Sequence, residues 1–328
     1  MTSRRALSLL ALPAVAALAL TGCSAEGGAG ASADDGRLAV VASTNVYGDI
    51  ASIVGGDHVD VTSVISDPSQ DPHSFEADAR TQLAVSKADV VIENGGGYDD
   101  FMQTLLDASG SGAVVVDAVE VSGLDADDHD HADETTEASE SAEAEGDDHA
   151  HDHGEFNEHV FYDLASMATL ATTLADEFGA ADEANADAYT AAATSFGEQI
   201  ADLEAQAASI AEAHAGESVA YTEPVPGYLF DAMGLENVTP EAFSEAIEEG
   251  TDVSPAVLSE TLQLFSAGSV DLLAYNEQTS SPETEQVEQA ATAAGVAIVP
   301  VTELLPEGDD YVSWQQSNID AIKAALEQ

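Results

Sequence analysis

Basic residues and cysteine are scarce in this chain of 328 residues. Six Lys and Arg stand against 63 Asp and Glu, which gives a formal net charge of −57 at pH 7. Such an acidic chain repels phosphate backbones and anionic lipid headgroups, so nucleic acid is excluded as a partner and cations are favoured. The single cysteine can form no disulfide within the chain and no thiolate cluster. Any metal site must therefore be built from His, Asp and Glu.

The cysteine, Cys23, ends an N-terminal segment with the features of an export signal. Arg4 and Arg5 form a basic start, and residues 6–20 form an apolar run shorter than a usual membrane span. The run Leu-Thr-Gly-Cys that ends at Cys23 resembles a bacterial lipobox, in which the cysteine is lipidated and becomes the first mature residue. Residues 1–22 are therefore predicted to be a lipoprotein signal peptide.

Residues 23–36 are small, Gly-rich and polar, a composition typical of a flexible tether. With a lipid on Cys23 as its membrane anchor, the protein is predicted to be extracytoplasmic. We expect it at the outer face of the cytoplasmic membrane.

An acidic, His-rich loop is predicted over residues 125–158, a run that contains no Lys or Arg. Five of its histidines lie between acids and small residues, namely His129, His131, His149, His151 and His153. Neutral imidazole is a good zinc ligand, and carboxylates add oxygen donors. The loop predicts weak accessory metal binding that scavenges ions. A solvated acidic loop that happens to carry histidine is the alternative.

Outside this loop, apolar strands alternate with helices in two groups, which favours an α/β fold. The predicted strands are 38–42, 59–65, 88–93, 113–117, 218–222, 270–276 and 296–301. We expect two lobes, each with a small parallel sheet flanked by helices. The boundaries are 37–180 for the N-terminal lobe, 181–214 for a linking helix and 215–328 for the C-terminal lobe.

The linking helix is predicted from a long apolar seam with a spacing of four and three residues. Its members are Tyr189, Ala193, Phe196, Ile200, Leu203, Ala207 and Ile210. At 1.5 Å per residue this helix would be roughly 45–50 Å long, more than one small lobe needs. We expect a rigid rod that joins two lobes of a monomer; a coiled-coil dimer is the alternative.

Four potential metal ligands stand at or just after the ends of strand-like segments: His73, His159, Glu223 and Glu303. Ligands of parallel sheets bind beyond the carboxyl ends of the strands. Two imidazoles and two carboxylates that converge between the lobes would satisfy Zn²⁺ tetrahedrally, or Mn²⁺ if the carboxylates bind through both oxygens. Glu277 is the substitute for Glu303 as the fourth ligand.

Two segments resemble the ZnuA/TroA-like family, the zinc and manganese solute-binding proteins of ABC importers. Asp-Pro-His-Ser-Phe-Glu at 71–76, followed by Ala-Asp-Val-Val-Ile-Glu at 88–93, is similar to the family's first-ligand segment. Glu-His-Val-Phe-Tyr-Asp at 158–163 resembles the second, although Asp-Pro-His-Val-Trp is commoner there. The resemblance covers about residues 37–328 and the lipobox.

The resemblance implies one metal ion in an interlobe cleft, little closure of the lobes and delivery to an ABC-transporter permease. It implies His73 and His159 as ligands. Glu223 stands at the third ligand position, which is commonly His in zinc members of the family and Glu in manganese members. Glu303 stands at the fourth ligand position, which is often Asp. Because the His-rich loop is typical of the zinc-specific branch, we expect Zn²⁺, with Mn²⁺ as the alternative.

The sequence favours a binding protein and not an enzyme. It contains no His-Glu-x-x-His, no Gly-x-Ser-x-Gly and no Gly-rich phosphate loop. A metallohydrolase, which would need a metal-bound water and a nearby base, is a less favoured function. An acidic surface adhesin is another.

Overall fold

The computed structural model describes residues 36–68, 70–125 and 156–328. The predicted signal peptide, Cys23 and the five histidines of the acidic loop lie outside the described residues. No helix within the described ranges is long and apolar enough to cross a membrane.

The described strands form two sheets. The strands are β1 (Leu38–Thr44), β2 (Val59–Ile65), β3 (Val90–Glu93), β4 (Val114–Asp117), β5 (Ser218–Tyr221), β6 (Glu236–Asn237), β7 (Leu272–Asn276) and β8 (Ala297–Val301). The order is β2-β1-β3-β4 in one sheet and β6-β5-β7-β8 in the other, and all neighbouring strands are parallel. The two sheets thus repeat one topology, and the predicted α/β fold with a parallel sheet in each lobe is confirmed.

Helices flank both sheets. They are α1 (Asn45–Gly55), α2 (Ala79–Val85), α3 (Phe101–Ser109), α4 (Ala118–Ser122), α5 (Leu164–Ala181), α6 (Ala186–His214), α7 (Gly227–Ala232), α8 (Glu241–Glu248), α9 (Pro255–Ala267), α10 (Pro282–Ala294) and α11 (Tyr311–Leu326). Every residue of the inner strands β3 and β7 is buried, as parallel strands covered on both faces require.

The long helix α6 joins the two lobes as predicted, and the seven residues of its predicted seam are its buried residues. It begins at Ala186, five residues later than expected, because a turn separates it from α5. The carboxylate of Asp182 accepts hydrogen bonds from Nδ2 of Asn185 at 2.6 Å and from the hydroxyl of Tyr189 at 2.9 Å. These bonds stabilise the turn in competition with a continuous helix.

The lobes share one hydrophobic core, which includes Phe161 of the first lobe and Trp314 of the second. Polar contacts also tie them together. The amide of Asn45 donates to the carbonyl of Leu305 and accepts from its N–H, both at 3.0 Å. The hydroxyl of Tyr311 donates to the carbonyl of Phe161 at 2.8 Å. The relative position of the lobes is therefore set by packing as well as by the linking helix.

Four short elements were not expected from the sequence: α4, α7, β6 and α8. Of these, α8 bears on the site. Phe243 and Ile247, one helical turn apart, bury one face of α8 in a second hydrophobic core. The helix ends at Glu248, which lies at the cleft between the lobes.

Candidate metal centre

Strand ends place three of the predicted ligands at the cleft. His73 follows β2, Glu223 follows β5 and Glu303 follows β8. The fourth, His159, immediately precedes a single 3₁₀ turn at Val160–Tyr162. The loop of His73 is held by an Asp71 carboxylate that accepts from the His73 N–H at 2.9 Å.

Three of the four predicted ligands come together. Ligand atoms of His73, His159 and Glu303 all lie within 4.8 Å of one another. Nε2 of His73 is 3.9 Å from Oε2 of Glu303, and both atoms are buried without a hydrogen-bond partner among the described residues. An ion with bonds of about 2.0–2.2 Å to nitrogen and oxygen would span this separation. The structure therefore brings three of the four predicted residues together, two from the first lobe and one from the second.

His159 is oriented by Asn157. Its Nδ1 lies 2.8 Å from Oδ1 of Asn157, which accepts and thus makes Nδ1 the protonated nitrogen. This tautomer leaves the lone pair of Nε2 for a metal, the arrangement usual for metal-binding imidazoles. Asn157 also links the lobes. Its side-chain Nδ2 donates to the carbonyl of Pro224 at 3.0 Å, and its backbone carbonyl accepts from the Tyr228 hydroxyl at 2.6 Å.

Glu223 lies next to Glu303 and shares a hydrogen-bond donor with it. Nδ2 of Asn276 donates to Oε2 of Glu223 and to Oε1 of Glu303, each at 2.7 Å. The hydroxyl of Thr279 also donates to Oε2 of Glu223. Each carboxylate therefore has one oxygen held by these donors and a second oxygen for other contacts. Glu223 itself is outside the group of three whose atoms lie within 4.8 Å.

Glu277, the predicted substitute for Glu303, is exposed at the end of β7. Glu303 is 1% exposed and belongs to the cluster, whereas Glu277 belongs to no ligand cluster among the described residues. The geometry thus favours Glu303 over Glu277.

Two carboxylates at the site were missed by the sequence analysis: Glu158 and Glu248. Their ligand atoms form a second group with His73, again within 4.8 Å of one another. Glu158 directly precedes His159 and is 4% exposed. Its position next to a predicted ligand was a signal that could have found it. Glu248 lies on a helix that the sequence did not predict, and nothing in the local pattern distinguishes it from Glu249.

Burial and mutual repulsion shift the pKa values of these groups. Burial raises the pKa of Glu223 to about 7, and the charge of Glu158 contributes to the rise. Burial, followed by the charge of Glu223, raises the pKa of Glu303 well above its ordinary range. Burial, followed by the charge of Glu158, also raises the pKa of Glu248. Burial lowers the pKa of His159 well below its ordinary value, with His73 adding to the effect, so this imidazole is neutral at pH 7.

A cavity of about 430 Å³ leads from solvent to this cluster. His73 and Glu248 line it, together with the acidic residues Asp71, Asp252 and Glu283. The basic residues of the described ranges, Arg37, Arg80, Lys87 and Lys323, are not among its lining residues. The buried carboxylates thus lack a cationic side chain in the cavity, and a bound cation would relieve their repulsion.

Two α/β lobes with a cluster of potential metal ligands between them are typical of two-lobed solute-binding proteins. Over residues 40–325 the chain matches the ZnuA family, described as zinc-uptake complex component A, periplasmic. The chain belongs to this family. The resemblance seen in the sequence is confirmed, as is the prediction of a metal-binding component of an ABC importer that is not an enzyme.

Individual relatives agree with this assignment. The manganese-binding lipoprotein MntA of Halalkalibacterium halodurans is 25% identical over 323 residues, which are 96% of either chain. The periplasmic zinc-binding protein TroA of Treponema pallidum superposes with a TM-score of 0.69 at 18% identity, over 89% of this chain and 99% of TroA. FpvC of Pseudomonas aeruginosa in complex with Mn²⁺ has a TM-score of 0.67 at 24% identity, over 89% and 98% of the two chains. The two structures show that the fold is shared.

Proposed function

We propose that this protein captures Zn²⁺ in the cleft between its lobes and delivers the ion to the permease of an ABC importer. The observation that supports this most is the buried pair of Nε2 of His73 and Oε2 of Glu303, unpartnered and 3.9 Å apart. Unsatisfied polar atoms are costly to bury, and an ion between them would remove that cost.

The proposed ligands are His73, His159, Glu223 and Glu303. Both imidazoles would bind as neutral donors. Each carboxylate would offer the oxygen that Asn276 does not hold, which is Oε2 of Glu303 and Oε1 of Glu223. One atom from each residue gives four donors, the number that Zn²⁺ prefers in closed protein sites. Movement of Glu223 toward the other three would complete this set.

Mn²⁺ is the second candidate, and the two additional carboxylates favour it. Oxygen donors suit manganese, and Glu158 and Glu248 could raise the coordination number above four. The relative from H. halodurans is named a manganese-binding lipoprotein. In support of zinc, the acidic loop contains five histidines that could act as an accessory scavenger of zinc.

The same proposal includes the location and state of the protein. We infer a lipid anchor on Cys23 that holds the protein at the outer face of the cytoplasmic membrane. The lipobox-like run at Cys23 and the lipoprotein relative support the anchor. A monomer is proposed because the apolar seam of α6 is buried inside the chain, which leaves no seam for a coiled-coil partner.

A metal titration of the full-length protein tests the proposal. The metal-free protein is titrated with Zn²⁺ and with Mn²⁺ in competition with a chromophoric chelator, and metal content is measured after gel filtration. One tightly bound ion per chain is expected, with Zn²⁺ bound more tightly. Tighter binding of Mn²⁺ would make manganese, and not zinc, the preferred ion of the protein. The absence of any tight ion would contradict the proposed function.

A further inference from the structure

The cleft contains a second group of ligand atoms that the four proposed ligands do not explain. His73, Glu158 and Glu248 each offer an atom within 4.8 Å of the other two. His73 is therefore common to two groups, the inner set with His159 and Glu303 and an outer set with the two glutamates. The outer set contains an imidazole and two carboxylates, a donor combination that binds zinc or manganese.

Two side chains of the outer set have a buried polar atom without a hydrogen-bond partner among the described residues. The atoms are Nε2 of His73 and Oε1 of Glu248. Glu158 is 4% exposed. Glu303, whose unpartnered Oε2 faces His73, is 1% exposed and adds a nearly fully buried acceptor beside the shared imidazole.

The outer set reaches the cavity that opens to solvent through Glu248. Glu248 lines this cavity, as does the shared His73, whereas Glu158, His159 and Glu303 do not. Oε1 of Glu248 is 3.7 Å from Nδ1 of His159, the nitrogen that already bonds Asn157. Glu248 thus lies near Nδ1 of His159, and Nε2 is the nitrogen that remains available to an ion.

We propose that His73, Glu158 and Glu248 form an outer ion position, which a divalent cation occupies on its way to and from the inner set. This inference rests on the proposed function, since both positions serve the same ion. An ion that leaves four ligands at once faces a high barrier. With His73 common to both sets, the ion can exchange its other ligands one at a time while one bond is kept.

The test compares Glu248→Gln with Glu249→Gln in the full-length protein. Both glutamates line the cavity and differ by one position in the chain, but only Glu248 belongs to the outer set. Glutamine preserves the shape and removes the anionic oxygen. Stopped-flow exchange of Zn²⁺ with a chromophoric chelator gives the association and dissociation rate constants.

Glu248→Gln is expected to lower both rate constants by about tenfold, at the lower end of the 10- to 100-fold effects of residues next to a metal site. Glu249→Gln should change them by less than about twofold, because an exposed charge at the mouth is screened by solvent and salt. Glu158→Gln should reproduce the slow exchange, which guards against a folding defect in the first variant. Far-ultraviolet circular dichroism checks the fold of each variant.

Equal exchange rate constants in Glu248→Gln and Glu249→Gln would overturn the inference. Complete loss of the tightly bound ion in Glu248→Gln would also overturn it, because Glu248 would then be a ligand of the inner site. If the proposed function itself is wrong, the wild-type protein will bind no ion tightly, and this outcome is distinct from any difference between the variants.

Discussion

Nε2 of His73 and Oε2 of Glu303 lie 3.9 Å apart, one from the N-terminal lobe and one from the C-terminal lobe, and neither has a hydrogen-bond partner among the described residues. The shared hydrophobic core and the interlobe hydrogen bonds hold the two atoms in this arrangement. This arrangement suits the proposed ion, which would bridge the lobes.

Replacing His73 with Ala should abolish the tight site. The imidazole belongs to both ligand groups, so its loss affects the inner and outer positions together. Affinity for Zn²⁺ in chelator competition should fall by at least the roughly 100-fold that loss of a supporting partner can cost. His214→Ala is the matched control, since His214 pairs with Glu217 at the end of α6. Affinity retained in His73→Ala would show that the ligand set is wrong.

Glu303 and Glu277 can be separated directly. Glu303→Gln should weaken Zn²⁺ binding by about 10- to 100-fold or more, because the oxygen that faces His73 becomes part of a neutral amide. Glu277→Gln should leave the affinity within about twofold, since this side chain is exposed and its charge is screened. Isothermal titration calorimetry on both variants decides the point. The reverse ranking would make Glu277 the ligand.

Asn276 should act as a supporting residue for two ligands at once. Asn276→Ala removes the amide that holds both Glu223 and Glu303 and is expected to lower metal affinity by about 10- to 100-fold. Thr279→Val removes a donor to Glu223 alone and should have a smaller effect. If the two variants are equally mild in a competition titration, the shared amide is not important for positioning the carboxylates.

The metal-free protein should lose stability as the pH rises from about 4.5 to about 7. Burial raises the pKa of Glu223 to about 7 in the folded state, above the ordinary value of 4.5. A raised carboxyl pKa stabilises the fold fully below the ordinary value, and this contribution disappears as pH passes the folded value. The melting temperature without metal should therefore fall between about pH 5 and pH 7 and level off at higher pH, and the fall should be smaller in Glu223→Gln.

Metal should reverse that loss, because a bound cation stabilises the ionised carboxylates. At a free concentration of about 100 times Kd, an ion adds about 2.7 kcal/mol to the free energy of unfolding. Its affinity should increase with pH over the same range, since binding displaces protons. Differential scanning fluorimetry with and without Zn²⁺ measures both effects. A metal-free melting temperature that rises from pH 5 to pH 7 in the wild type relative to Glu223→Gln would contradict the assignment.

Deletion of residues 126–155 should preserve one tight ion per chain but reduce metal acquisition when metal is scarce. The deletion removes the five histidines of the predicted scavenging loop and leaves the four proposed ligands in place. Growth or uptake of the metal under zinc limitation measures the loss. A matched variant that replaces only the five histidines with Asn separates metal binding from loop length. Unchanged uptake in both variants would count against the scavenging role.

Local patterns in the sequence determined most of the fold. The spacing of the seven apolar residues of α6 follows from helical periodicity, so its buried face was predictable without knowledge of the lobes. Alternation of strands and helices likewise indicated parallel sheets. The start of α6 was misplaced because the turn depends on the side chain of Asp182, which competes with the helix.

The candidate site divides in the same way. His73 and His159 stand in segments that resemble a known family, and their importance was visible in the chain itself. The roles of Asn157, Asn276 and Glu248 were not, because each depends on a contact with a residue distant in the sequence. Glu248 and Glu249 are identical neighbours in the chain. Only the packing of α8 through Phe243 and Ile247 decides which of the two joins a group of ligand atoms, because side-chain direction is set by the helix face that the core buries.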